Sequence, residues 1–223
     1  MRTQYHADLA RLARQLVAMC LHDRTAIASA TNALLNADLE QAEHTIDVCA
    51  EIDAMRDSCE QAAVGLLALQ APVASELRQV VTALHLVSDL TRMSALASHI
   101  ANVARRRHPD HAVPDSVRPI VAQMGEAAIA IVTSAAHVLD SRDPGDAARL
   151  DQQDDVMDEL HRELFVTVLG ANWTDGVTAA VDLTLLGRYY ERFADHAVQV
   201  GRRTIFLATG KDPQTWLEER ESL

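Results

Sequence analysis

The chain has 223 residues, 48% of them hydrophobic and 23% charged, with 20 basic side chains against 32 acidic ones and a formal charge of −12. That balance argues against a counterion-releasing grip on nucleic acid, although a local basic patch is compatible with it. Only 4% of residues are aromatic and six are proline, while Ala and Leu abound; this composition predicts a soluble all-α protein with one or two cores and almost no β-structure.

From Thr3 to Leu35, the apolar positions Leu9, Leu12, Leu16, Met19, Ala26, Ala30 and Leu34 recur mostly at three, four and seven, which is one helix face turned to a core. Asn36 is expected to take the left-handed turn that closes this helix, and Asp38 to cap the next. The second helix runs to Leu69 on the stripe Ala42, Ile46, Ile52, Met55, Ala62, Ala63 and Leu66. Pro72 interrupts it, because proline removes an amide donor and steers its predecessor out of helical dihedrals. A third helix is predicted over 75–107, its basic Arg105, Arg106 and Arg107 suited to the negative end of the helix dipole.

The segment His108 to Asp115, with two prolines and two histidines, reads as an internal linker, and a metal role for His108 and His111 is disfavoured by the looseness of such a loop. The pattern then begins again, with a fourth helix over 116–138, a turn at 140–146, a fifth helix over 147–169 and a sixth ending at Thr209-Gly210. The expected architecture is two tandem three-helix antiparallel bundle repeats, residues 1–107 and 116–210, joined by the linker 108–115. Residues 211–223 read as a frayed tail. No charged segment followed by an apolar one opens the chain and no apolar run reads as a bilayer span, so the expected location is the cytoplasm. Cys20, Cys49 and Cys59 form no CxxC; Cys49 and Cys59 are ten apart on one predicted helix, too far along it to bond, and all three read as reduced structural thiols.

The candidate chemistry lies in Arg188-Tyr-Tyr-Glu191-Arg192-Phe-Ala-Asp195-His196. Four residues on a helix turn through about 400°, so the Glu191 and Asp195 carboxylates share one face, away from the stripe of Leu186, Tyr190, Phe193, Ala197 and Val200. Asp154 and Asp158 repeat the spacing on the fifth helix, with Asp151 and His161 extending the row beside Val156, Met157, Leu160 and Leu164. Two such rows on neighbouring helices suit a hard cation held by oxygen, Mg²⁺, Mn²⁺ or ferric iron. The competing reading is plain ion pairing, since Arg188 and Arg192 each precede an acid by three residues. Aligning the halves sets Thr91 against Glu191, Ala95 against Asp195 and Cys49 against Asp154, while Asp53 keeps its carboxylate opposite Asp158. The first half thus holds a degenerate site, with Asp53 and Asp89 remaining.

The two three-helix repeats, the segment Leu69-Gln70-Ala71-Pro72-Val73-Ala74-Ser75-Glu76-Leu77-Arg78 and the Glu-Arg-x-Ala-Asp-His segment of the sixth helix together resemble PhoU, the phosphate-signalling regulator of bacteria, from about Tyr5 to Gly210. The resemblance implies a cytosolic, often homodimeric negative regulator of phosphate uptake and phosphate-starvation signalling. Its implied partners are the ATPase subunit of the phosphate-specific ABC transporter and the phosphate sensor histidine kinase. It also implies an acidic motif in each repeat that binds metal, iron or zinc clusters among them, which by position means Glu191, Asp195, Asp154 and Asp158 in the second repeat. The first repeat departs from that pattern at Thr91, Ala95 and Cys49, with Ser94 for the usual Gly and Glu76 for Asp, so the expectation is one occupied metal site per chain, in the second repeat, or none.

Other classes fit less well. A divergent paralogue acting as a metal-free helical adaptor is the main alternative. A carboxylate-bridged di-iron enzyme needs a Glu-x-x-His on each of two helices, against a single Asp158-Glu-Leu-His161 here. No phosphate-cradling glycine loop, Gly-x-Ser-x-Gly or activated Cys supplies catalytic residues, and no basic helix-turn-helix is present.

Overall fold

The computed structural model describes residues 2–70 and 72–221, so Ala71, within the proline segment, and Ser222 and Leu223 of the tail lie outside the described residues. Seven helices follow in order: α1 (Arg2–Asn36), α2 (Leu39–Gln70), α3 (Ala74–Arg107), α4 (Arg118–Ser141), α5 (Pro144–Val168), α6 (Gly176–Thr209) and α7 (Pro213–Glu221), with no strand among the described residues.

The breaks between helices are set by local chemistry. Asp38 caps α2 as expected, its Oδ1 accepting from Gln41 N at 3.1 Å, but the left-handed residue is Ala37 at φ 51° rather than Asn36. The fourth helix outruns its expected end and closes on Arg142 at φ 56°, and α5 starts at Pro144 rather than Ala147. Asp143 is the reason: its side chain accepts from Asp146 N at 2.8 Å, and a proline just inside a helix start forfeits no hydrogen bond. Ser116, expected to open the fourth helix, instead donates to Asp175 at 2.7 Å. The tail is a helix and not a frayed end: Pro213 and the Asp212 carboxylate start α7, Trp216 packs on the core, and Arg220 lies 5.4 Å over the Trp216 ring.

Helix α1 packs on α2, α3 and α4, and α6 packs on α3, α4 and α5. The contacts α1–α3, α3–α6, α6–α4 and α4–α1 close a ring of four helices, with α2 and α5 on its flanks, and one buried cluster runs through both halves. Helices α3 and α6 run antiparallel, since Arg107 meets Asp182 at 2.6 Å near one end and Arg78 lies 5.9 Å over Phe206 near the other. Arg107 therefore serves as a tie between the halves as well as a helix-end charge. In the ring's interior, the Thr31 hydroxyl donates to Ile27 O, leaving its oxygen to accept from Tyr190 OH at 2.8 Å. His108 donates from Nδ1 to Ala37 O at 3.0 Å, fastening the loop before α4 to the end of α1. Cys20, Cys49 and Cys59 are all buried and free. Against the expectation from sequence, α4 is by length and composition apolar enough to cross a membrane, but half of its most apolar stretch is covered within the bundle.

Candidate functional site

Helix α5 lies against α6 because α6 has no side chain at two places where α5 crosses it. A Cβ at Gly187 would sit 3.0 Å from the His161 ring, and one at Gly201 would sit 2.7 Å from Leu150 and 2.8 Å from the backbone oxygen of Ala147. These glycines are four turns apart, so α6 presents a smooth strip to the Leu150, Met157 and Leu164 face of α5. Glu191 and Asp195 border that strip, and Asp154 borders the matching strip of α5. Val156, expected in the α5 stripe, is exposed instead.

The closeness of the two helices shows in the acids' electrostatics. Asp154 is pushed up to about 7, first by burial and then by the charges of Asp158, Asp195, Glu191 and Asp151. Glu191 is raised by burial and by Asp195, an effect opposed by Arg188, which pairs with it. His161 is lowered, first by burial and then by Arg188. Two buried polar atoms in this cluster have no hydrogen-bond partner, Asp154 Oδ1 and His161 Nε2. Asp158 and Asp195 are exposed, and Arg192 makes no ion pair with Asp195 among the described residues, so only the Arg188 half of the ion-pair reading forms.

The structure thus brings Asp154, Asp158, Glu191 and Asp195 into one field, and the donor chemistry, with a buried unpartnered carboxylate oxygen at its centre, fits a hard cation. As placed, no three His, Cys, Asp or Glu side chains among the described residues stand close enough together to hold an ion. The cluster is wider than one coordination sphere.

The first-half residues do not form a counterpart. Asp53 is exposed and pairs with Arg56 at 2.8 Å; Thr91 returns its hydroxyl to Val87 O at 2.8 Å; Cys49 points its thiol at Ser94 O, 3.3 Å away, and burial holds that thiol at about 11; Ala95 is exposed. Asp89 does not belong with Asp53. It is buried against α6, accepting from Arg203 Nε and lying 3.2 Å from His196 Nδ1, and the basic partners hold it below the usual carboxylate range despite burial. Arg202 is likewise occupied, by Asp151 at 2.8 Å.

One residue escaped the sequence reading. Asp23 is completely buried on α1 with both oxygens unpartnered, and burial pushes its carboxyl well up. The signal was its place four after Met19, three before Ala26 and seven from both Leu16 and Ala30, on the apolar stripe itself.

A family model for the PhoU domain matches residues 16–104 and 121–204. The chain belongs to the PhoU family. It is 50% identical over 213 residues to the "Phosphate-specific transport system accessory protein PhoU homolog 2" of Mycobacterium tuberculosis (strain ATCC 25618 / H37Rv), covering 96% of this chain and all of that protein. It is also 50% identical to homolog 1 of Mycobacterium leprae, covering 96% of each. Among solved structures, PhoU from Pseudomonas aeruginosa superposes with a TM-score of 0.81 over 93% of this chain and 100% of that one at 24% identity, which bears on fold alone. The regulatory PhoU protein from Streptococcus pneumoniae does so at 0.84, covering 93% and 98% at 22% identity. The all-α PhoU bundle is therefore shared.

Proposed function

We propose that this PhoU-family chain is an accessory protein of phosphate-specific transport that restrains phosphate uptake and phosphate-starvation signalling. It acts in the cytoplasm, as a homodimer, between the ATPase subunit of the phosphate transporter and the phosphate sensor histidine kinase. The observation that carries the reading is the 50% identity to a transport accessory protein over that protein's whole length. The reading assigns no catalytic residue.

In this reading the second half holds one occupied metal site, Asp154, Asp158, Glu191 and Asp195 drawing closer together to ligate it, and the first half holds none because Asp53 and Asp89 are already committed to arginines. The bound cation supplies positive charge where carboxylates otherwise repel one another. Filling and emptying the cluster changes local charge and so biases which partner docks, provided the partners differ in affinity for the two forms. A metal-free adaptor is the second reading, favoured by the Arg188 guanidinium that already neutralises Glu191.

The test is phosphate uptake in phosphate-rich medium by a strain lacking the chain, complemented with wild type or with the Glu191→Ala, Asp195→Ala double variant. Raised uptake on deletion, reversed by wild type alone, is expected. Uptake unaffected by deletion overturns the regulator reading, and full rescue by the double variant selects the metal-free adaptor.

A further inference from the structure

The α5–α6 face has a second component, contiguous with the acids. Near the α5–α6 loop, Leu169, Trp173, Val177, Ala180, Val181 and Leu185 line an open cavity of about 490 Å³ that includes no charged residue. Val177 is 80% exposed, Leu169 70% and Val181 53%, an unusual concentration of aliphatic surface in a chain of this charge. Positions 177, 181 and 185 recur at helical spacing, and the same face of α6 continues through Arg188 to Glu191 and Asp195. Because α5 runs antiparallel beside it, Leu169 flanks the apolar end and Asp158 and Asp154 flank the acidic end. From Val177 to Asp195 the groove is about 27 Å long.

The first half supplies an internal contrast. With the halves aligned as above, Leu77 and Val81 on α3 match Val177 and Val181, and both are exposed. That stripe runs on into Thr91 and Ala95, not into carboxylates, and Phe206 of α6 and Leu217 of α7 stand beside Val81. Of these two faces, the α5–α6 groove is the one that joins an apolar end to an acidic one.

We infer that this groove docks an amphipathic helix of another protein, with aliphatic side chains at i, i+4 and i+8 seated on Val177, Val181 and Leu185, and basic side chains about three turns further on entering the field of Asp154, Asp158, Glu191 and Asp195. Charge selects the occupant. Four carboxylates outweigh Arg188 and Arg192 at the acidic end, so a basic segment is attracted and an acidic one repelled. A second copy of this chain would add its own charge of −12 to the contact. The inference deepens the accessory-protein reading by naming the surface through which a partner is held, and it needs no metal.

The experiment places a photo-cross-linking amino acid at Val181 in cells, with Val64, 59% exposed on the flanking helix α2 that packs on α1 and α3, as control. The captured segment is identified by mass spectrometry, and phosphate uptake is scored in the same strains. A segment of amphipathic helical pattern with basic residues at its far end is expected from Val181 and not from Val64. Its yield should fall about tenfold when Asp158 and Asp195, both exposed, become Asn. Capture of this same chain, of an acidic segment or of lipid alone, or no capture above the Val64 level, overturns the inference. A basic helix captured in a strain whose phosphate uptake ignores the chain would leave the surface standing and remove the accessory-protein reading.

Discussion

On the α5–α6 face, Glu191 and Asp195 share a field with Asp154 and Asp158, and the Asp154 carboxyl is pushed up to about 7 by burial first and by its neighbours' charge second. At the aligned places of the α2–α3 face, Thr91 bonds its own helix, Cys49 is a buried thiol and Ala95 has nothing to offer an ion. Buried acids in the first half serve other ends: Asp89 ties the halves together and Asp23 is sealed inside. The difference teaches that one bundle geometry can carry a responsive surface on one side and structural charge on the other, with the sorting done by a few side chains. Four substitutions would break or sharpen that contrast.

The largest effect is expected from Asp89→Ala, which strands Arg203 and His196 at the seam and should cost about 3 kcal/mol in urea unfolding at pH 7. Because the folded-state carboxyl is lowered, its contribution is present above the unfolded value near 4 and is lost as pH falls through the lower folded value. The gap between wild type and variant should therefore close in acid.

Asp23→Asn should act in the opposite sense, stabilising the protein by about 2 kcal/mol at pH 7, because an unpartnered buried carboxylate is replaced by an uncharged group of the same shape. Asp23 is raised in the folded state, so wild type regains stability as pH falls towards the unfolded value near 4, and the variant's advantage should vanish there. A variant less stable than wild type at pH 7 would mean that Asp23 has a partner.

Asp154→Asn relieves repulsion among the second-half acids. In metal-free protein at pH 8 a gain of about 1 kcal/mol is expected, modest because solvent screens a half-exposed cluster. The carboxyl titrates near 7 when folded and near 4 when unfolded, so wild type should recover that deficit as pH falls from 7 to 4. Added Mn²⁺ should raise the melting temperature of wild type but not of the variant. The smallest effect is expected from Arg188→Gln, at about 0.5 kcal/mol of stability. Freed of its guanidinium, Glu191 should then hold Mn²⁺ several-fold more tightly by calorimetry, whereas unchanged affinity would mean that Glu191 is not a ligand.

The six long helices, their order and most of their boundaries were legible because 3.6-residue periodicity and proline breaks are local signals. The errors fell where a single cap decides, as at Asp143-Pro144, or where a short helix draws its stability from packing, as in α7, whose anchor Trp216 could not be assigned a contact from sequence. The pairing of Asp154 and Asp158 with Glu191 and Asp195 was visible as matched spacing. The commitment of Asp89 to α6 was not, because spacing along one helix carries no information about which neighbour a face meets. Nor did sequence weigh the aliphatic groove beside the acids, since an exposed valine and a buried one look alike until the helices are packed.

The closed ring α1–α3–α6–α4 also has a history written into it. The hydrogen bond between Thr31 and Tyr190 joins residues 159 positions apart, so the ring cannot close until almost the whole chain has been made. At ordinary rates of synthesis, α1 and α3 then wait roughly 5–20 s on the ribosome for α6, their apolar inner faces uncovered. A chain halted in the loop after α3 would leave the ribosome as a half-molecule with one sticky side, so premature termination should yield aggregates or mispaired halves in place of a working fragment.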